Sequence, residues 1–142
     1  MDDLLLKYPH CAGAYTLKRA HQDRVRHAAK KLGFVTKTAD LAAATSIPDS
    51  LERLGRALQL PDWYGGNFDA LVDCLSDPDW QPAKGHVLFI NGAAHLHEAD
   101  PDGFATLSDV FQTIAANRGE QEQPFWLLLD TQAPGIPTFP QA

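Results

Sequence analysis

Short apolar runs alternate with amphipathic segments along most of this chain. Strands are predicted at residues 34–38, 86–90 and 125–130, and helical spacing of apolar residues marks residues 21–32, 46–58 and 101–117. The last two strands are apolar at almost every position, which is typical of strands buried on both faces of a parallel sheet. The pattern therefore predicts an α/β fold, in which a small parallel sheet is covered by helices. A short strand at residues 14–17 precedes the first of these helices. This N-terminal strand and helix are expected to add an edge strand to the sheet.

A further helix is predicted to begin at Asn67, whose side chain can accept a hydrogen bond from a backbone N–H of the first turn. Its buried stripe follows the i, i+3, i+4, i+7 spacing and consists of Phe68, Leu71, Val72 and Leu75. Asp69 and Asp73 lie four residues apart and share a different face. Like charges at this spacing repel by about 0.2–0.5 kcal/mol on an exposed helix. Folding alone does not require this pair. The two carboxylates are therefore interpreted as part of a binding surface, with an ordinary solvated helix face as the alternative.

The loop before this helix contains Trp63, Tyr64, Gly65 and Gly66. We expect one of the two aromatic side chains to pack inward and the other to face a partner, because aromatic residues in loops are frequent binding hot spots. The glycines are expected to provide backbone conformations with positive φ or close approach of a partner. Trp80, in the following loop, is compatible with either a core or an exposed position.

Composition and charge narrow the choice of function. The chain has 142 residues, enough for one domain with its own core, and a net charge of −6. Residues 1–56 hold ten Lys or Arg and six acids, whereas residues 57–142 hold two Lys or Arg and twelve acids. This asymmetry fits either a solvated surface or the electrostatic steering of a basic partner. We expect a cytoplasmic protein, because no signal peptide or membrane span is evident and the two cysteines are far apart in sequence.

Other chemistry receives less support from the sequence. Asp69 and Asp73 could form a catalytic acid–base pair or bind Mg²⁺, but no flanking motif accompanies them. His95 and His97 have the spacing of a metal-binding pair, without a nearby Cys or third His. The basic helix at residues 24–31 lacks the aromatic pattern of a nucleic-acid-binding surface. We therefore predict no catalytic residue, metal, cofactor, nucleic acid or membrane among the chain's functional partners.

One sixteen-residue stretch resembles the signature of a known family. The stretch reads Leu60-Pro61-Asp62-Trp63-Tyr64-Gly65-Gly66-Asn67-Phe68-Asp69-Ala70-Leu71-Val72-Asp73-Cys74-Leu75. It is similar to the motif of the barstar family, intracellular inhibitors of a secreted bacterial ribonuclease, and a looser resemblance runs over about residues 34–130. The resemblance implies a barstar-like fold and a partner-binding surface in which Asp73 takes the place of a substrate phosphate. It also implies supporting contacts from Trp63, Tyr64, Gly65, Asn67 and Asp69.

The chain also departs from the small barstar pattern. That pattern has Tyr at position 63, Glu at 66 and Trp at 72, and it carries acids where this chain has Thr113 and Asn117. The acidic surface is therefore expected to carry fewer acidic side chains than that of the small barstar. The target could be a barnase-like ribonuclease or another basic nuclease toxin. The alternative is a barstar-like interaction module whose partner is not a nuclease.

The sequence also predicts how the chain divides. We expect an N-terminal extension, residues 1–33, that packs on the same domain, a barstar-like domain at 34–130, and a disordered tail at 131–142. The free protein is expected to be a monomer.

Overall fold

Residues 5–139 are described by a computed structural model. The strands are β1 (Ala14–Thr16), β2 (Val35–Asp40), β3 (His86–Asn91) and β4 (Phe125–Leu129). The main helices are α1 (Gln22–Lys31), α2 (Ile47–Ala57), α3 (Phe68–Ser76), α4 (Ala94–Ala99) and α5 (Pro101–Glu120). Short 3-10 turns occupy Pro9–Cys11 and Arg19–His21.

The four strands form one sheet in the order β1-β4-β3-β2, and all three pairings are parallel. The central strands β3 and β4 are buried at every position, as their continuous apolar runs predict. The predicted α/β fold with a parallel sheet covered by helices is confirmed. The extra N-terminal strand lies at the edge beside β4, with Ala14 opposite Leu127.

Helices cover both faces of the sheet. One core lies between the sheet and α2, α3 and α5, and it includes Leu51, Leu54, Leu71, Leu75, Leu88, Ile90, Phe104, Leu107, Phe111, Ile114, Leu127 and Leu129. The other core lies beneath α1 and includes Leu6, Leu17, Val25, Ala28, Ala29, Phe34, Val87, Phe89, Trp126, Leu128 and Phe139. Alternate residues of β3 and β4 therefore contribute to opposite cores, as the period of a strand requires. Because α1 and α3 belong to different cores, they lie on opposite faces of the sheet.

The N-terminal segment is joined to the sheet by polar as well as apolar contacts. Gln22 on α1 and Asn91 at the end of β3 exchange two buried amide hydrogen bonds, of 2.7 and 3.1 Å. Arg19 pairs with Asp130 at the end of β4, with an Nε to Oδ2 distance of 2.7 Å. The indole Nε1 of Trp126 donates to the carbonyl oxygen of Leu6 at 3.0 Å. Residues 5–31 thus share one sheet and one core with the rest of the domain.

The C-terminal segment differs from the expected disordered tail over residues 131–139. The backbone N–H of Thr16 donates to the Pro137 carbonyl, and the Phe139 N–H donates to the Thr16 carbonyl, both at 2.8 Å. Ile136 and Phe139 are 6% and 3% exposed. The prolines and the lack of charge suggested disorder, but two apolar side chains anchor this segment beside β1. Residues 140–142, the last part of the predicted tail, lie outside the described residues.

Across residues 5–139, no helix combines the length and the apolar character that crossing a bilayer requires.

Candidate partner-binding surface

Tyr64 anchors the loop that leads into α3. Its hydroxyl donates to the carbonyl oxygen of Leu51 at 2.8 Å, and burial raises the pKa of the phenol to about 12. The ring lies so close to α2 that a Cβ atom at Gly55 would meet Tyr64 Cε2 at 2.7 Å. Glycine at this position therefore makes room for the ring, and Tyr64 is the inward aromatic residue of the loop.

Trp63 is the outward aromatic residue. Its side chain is 59% exposed, more than that of Tyr8, the other exposed large hydrophobic side chain among residues 5–139. It borders a groove of about 260 Å³, whose lining includes Pro61, Asp77, Asp79 and Trp80. Trp63 thus presents a large, rigid apolar surface beside carboxylates, a combination suited to a cationic partner.

Trp80 forms the inner wall of this groove. It is only 7% exposed and stacks on His86, with ring centroids 5.4 Å apart. His86 Nε2 lies 2.6 Å from the Gln81 carbonyl oxygen, a geometry that assigns the ring proton to Nε2. Burial lowers the pKa of His86 to about 4, so the imidazole is neutral at pH 7. Trp80 is therefore a core residue at the edge of the candidate surface.

Gly65, Gly66 and Asn67 set the start of α3. Gly66 has a φ of 69°, in the left-handed region that favours glycine. Asn67 is extended, with φ −126° and ψ 167°, and its Oδ1 accepts a hydrogen bond from the Ala70 N–H at 2.8 Å. The predicted N-cap is confirmed, so Asn67 has a structural role whatever it contacts in a complex. Gly65 is exposed next to it and leaves the backbone open to close approach.

The acidic face of α3 lies opposite its buried stripe. Asp69 and Asp73 are both exposed, whereas Leu71, Cys74 and Leu75 are buried. Within residues 5–139, neither carboxylate accepts a hydrogen bond or joins an ion pair. The structure thus leaves two neighbouring carboxylates fully available to an external cation.

Cys74 lies behind these carboxylates and is 1% exposed. Burial raises the pKa of its thiol, and the negative charges of Asp73 and Asp77 raise it further. Because the thiolate is the reactive form, a buried thiol with a raised pKa is a packing residue rather than a nucleophile.

The end of α3 is held by side chains that sequence reasoning did not single out. Arg118 of α5 is fully buried, and its guanidinium donates to the Leu75 carbonyl from Nε at 2.7 Å and to the Asp77 carbonyl from Nη2 at 2.8 Å. A third donor, Nη1, bonds Gln123, and the cation lies 4.6 Å from the centroid of the Phe125 ring. Burial lowers the pKa of Arg118 to about 10. The spacing of Arg118 in α5, four residues after buried Ile114, is the one feature of the sequence that indicates its position.

His95 and His97, the two histidines with the spacing of a metal-binding pair, are not brought together with other ligands in residues 5–139. His97 stacks on Phe104, with ring centroids 4.7 Å apart. In the part of the chain that the structure describes, no group of three or more His, Cys, Asp or Glu side chains is arranged to hold a metal ion.

Comparison with known proteins agrees with the motif. A search of curated proteins returned no significant match. The family model described as "Barstar (barnase inhibitor)" matches residues 34–130, which begin just before β2 and end just after β4. The match includes the whole candidate surface and leaves out β1 and α1. Since it covers more than half of the chain, this protein belongs to the barstar family.

Proposed function

We propose that this protein inhibits a basic bacterial ribonuclease by covering its active site with α3 and the loop before it. The observation that carries the proposal is the pair Asp69 and Asp73, exposed and unpaired within residues 5–139, beside the exposed ring of Trp63. Membership of the barstar family supports an inhibitor whose partner is a ribonuclease.

Electrostatics favour such a partner. Between residues 57 and 83 there are five acids and no Lys or Arg, so this segment carries a concentrated negative charge. A ribonuclease active site gathers cations to bind phosphate groups. Opposite charges on the two proteins speed their encounter and orient it. The exposed carboxylates then replace the phosphates as hydrogen-bond acceptors.

The proposed role of Asp73 is taken from the resemblance to the barstar family, and the roles of the other site residues combine that resemblance with their positions. Asp73 binds the phosphate-binding cations, and Asp69 pairs with a second cationic group one turn away. Trp63 packs against the rim of the active site, while Tyr64 holds the loop in place through its bond to Leu51. Gly65 permits close approach of the partner backbone, and Asn67 fixes the start of α3. In this proposal none of these groups performs catalysis.

The inhibitor is proposed to act in the cytoplasm, before its target is secreted. Cys11 and Cys74 are both free, which fits a reducing compartment. A monomer has the whole acidic face available for a one-to-one complex.

The test is inhibition of a basic, barnase-type ribonuclease by the wild-type protein and by Asp73→Ala. In protein complexes, barstar's own among them, loss of one partner of a buried charge pair costs about 2–5 kcal/mol. Asp73→Ala should therefore weaken inhibition by at least about 30-fold, mostly through faster dissociation. Asp23→Ala is the control, because Asp23 is exposed on α1, on the opposite face of the sheet.

Two results would contradict the proposal in different ways. Equal inhibition by wild type and Asp73→Ala would exclude the acidic face of α3 as the inhibitory surface. Absence of binding to every basic ribonuclease tested would favour the alternative, a barstar-like interaction module with a partner of another kind. Thermal unfolding of both variants checks that any loss is not a loss of folded protein.

A further inference from the structure

The C-terminal end of α3 is held by Asn117 and Arg118 from the last turn of α5 and by Gln121, the residue that follows α5. The Asn117 Nδ2 donates to the Ser76 hydroxyl, and the Gln121 Nε2 donates to the Ser76 carbonyl, both at 3.0 Å. Arg118 donates to the carbonyl oxygens of Leu75 and Asp77. The last carbonyls of a helix lack partners within the helix, so this cluster supplies donors where α3 has none of its own.

Arg118 is an unusual residue for this purpose. A buried guanidinium normally requires a carboxylate partner, because removal of a charge from water is costly. Within residues 5–139 no carboxylate forms an ion pair with Arg118, although the charge of Asp77 favours the cation from further away. Besides the side-chain oxygen of Gln123, its acceptors are the carbonyls of Leu75 and Asp77, at the negative end of the α3 dipole. The buried guanidinium is therefore bound at the C-terminal end of the acidic helix α3.

We infer that Arg118 is a positioning residue for partner docking: it fixes the last turn of α3 and the loop from Asp77 to Trp80, and thereby the direction in which Asp73 faces a partner. This inference rests on the proposed function. Asp73 lies only two residues before Leu75, whose carbonyl accepts a hydrogen bond from Arg118 Nε at 2.7 Å.

Fixing this turn before binding has a direct effect on affinity. Helix ends fray readily, and a frayed last turn has to be ordered when a partner binds, at a cost in conformational entropy. Preorganisation removes that cost from the binding step. Leu71 and Leu75 hold α3 against the core, but they do not supply donors for the terminal carbonyls. Arg118 therefore contributes to binding without touching the partner.

The first experiment measures hydrogen exchange of backbone amides in the free protein. Arg118→Met keeps an unbranched apolar stem and removes the charge and the donors of the guanidinium. Amides from Val72 to Trp80 should exchange at least about tenfold faster than in the wild type, a loss of local protection confined to this segment. Val87→Ala is the control, because it creates a cavity in the core beneath α1, on the other face of the sheet. Uniform loss of protection in Arg118→Met, as in a general destabilisation, would overturn the inference.

The second experiment measures binding to a basic ribonuclease that the wild-type protein inhibits. Arg118→Met should raise the dissociation constant at least about tenfold, while Val87→Ala leaves it within about twofold. In an Asp73→Ala background, Arg118→Met should raise the dissociation constant by less than about a further threefold. The reason is that the Asp73 carboxylate, which Arg118 positions, is absent from both proteins. Arg118→Lys keeps the charge and one set of donors and should give an intermediate affinity.

The outcomes separate the two proposals. Equal affinity of wild type and Arg118→Met, or fully additive effects with Asp73→Ala, would overturn the positioning role and leave the proposed function intact. If the wild-type protein binds no ribonuclease, the proposed function fails, and the exchange experiment still decides whether Arg118 holds the end of α3. If Arg118→Met does not fold, Arg118→Lys, which cannot reproduce the two guanidinium bonds to Leu75 and Asp77, carries the same two measurements, and exchange and affinity equal to the wild type would overturn the positioning role.

Discussion

Replacing Gly55 by alanine tests how the aromatic loop is held. Gly55 lies in α2, where alanine is normally the better helix former by about 1 kcal/mol. The added Cβ, however, would stand 2.7 Å from Tyr64 Cε2 and 2.9 Å from Cδ2, well inside van der Waals contact. The Tyr64 ring must therefore move. The substitution has two opposing effects on stability: it improves the helix propensity of α2, and it disturbs the packing of the loop.

The magnitudes decide which effect dominates. Overpacking of a tightly packed site costs about 1–3 kcal/mol. Displacement of the ring also strains or breaks the 2.8 Å hydrogen bond to Leu51, worth about 0.5–1.5 kcal/mol. Against these, the gain in helix propensity is at most about 1 kcal/mol. We expect Gly55→Ala to lower the free energy of unfolding by roughly 1–3 kcal/mol.

The assay is urea unfolding of the wild type and of four variants, namely Gly55→Ala, Gly119→Ala, Tyr64→Ala and the double variant of Gly55 and Tyr64. Gly119→Ala is the control, because nothing lies near a Cβ atom at this helical glycine, and it should be neutral or stabilising by up to about 1 kcal/mol. In a Tyr64→Ala background, Gly55→Ala should change sign and become stabilising, since the clash is removed. If Gly55→Ala alone is as stabilising as Gly119→Ala, Tyr64 is not confined by α2 and the account of the loop is wrong.

Two further predictions concern stability. Deletion of residues 131–142 removes buried Phe139 and its backbone bonds to Thr16, so the melting temperature should fall by at least about 5 °C, and an unchanged value would show that the segment does not pack. Because the pKa of His86 is lowered from 6.5 to about 4 by burial, the unfolded state binds the extra proton first as the pH falls. Stability should therefore be complete above about pH 6.5 and decline towards pH 4, by at most about 1.4 kcal/mol per pH unit. His86→Phe should show a shallower decline, and identical pH profiles for the two proteins would contradict the assignment.

The parts of the fold that depend on local pattern were predictable from the sequence. Continuous apolar runs identified β3 and β4 as central strands, and the side chain of Asn67 identified the start of α3. Both features act within a few residues, through burial of a strand or capping of one turn. The exposure of Trp63 and the burial of Tyr64 followed the expectation of one outward and one inward aromatic residue, although the sequence did not say which was which.

The parts that depend on distant contacts were not predictable in this way. The segment after Asp130 looked disordered because it contains prolines and no charge, yet Phe139 packs on Tyr15 and Trp126. The prolines of this segment limit regular structure, but they do not prevent the chain from lying along a strand edge when apolar side chains anchor it. The position of Arg118 depends on carbonyls 41 and 43 residues earlier in the chain. No local pattern reveals that a charged residue on an apolar helix face has such acceptors.

These long-range contacts bear directly on the acidic surface. The free protein gains nothing from the pairing of Asp69 with Asp73, since the two charges repel and have no counter-ion within residues 5–139, although Asp69 alone lies in the first turn of α3, where the helix dipole favours an anion. The cost is small, a few tenths of a kcal/mol, and the cap at Asn67 contributes roughly 1 kcal/mol in the opposite direction. The donors of Arg118 stabilise the other end of the same helix. Both ends of α3 are thus fixed by groups outside its acidic face. The residues of that face are not needed to hold the helix in place, so their identity can serve binding rather than folding.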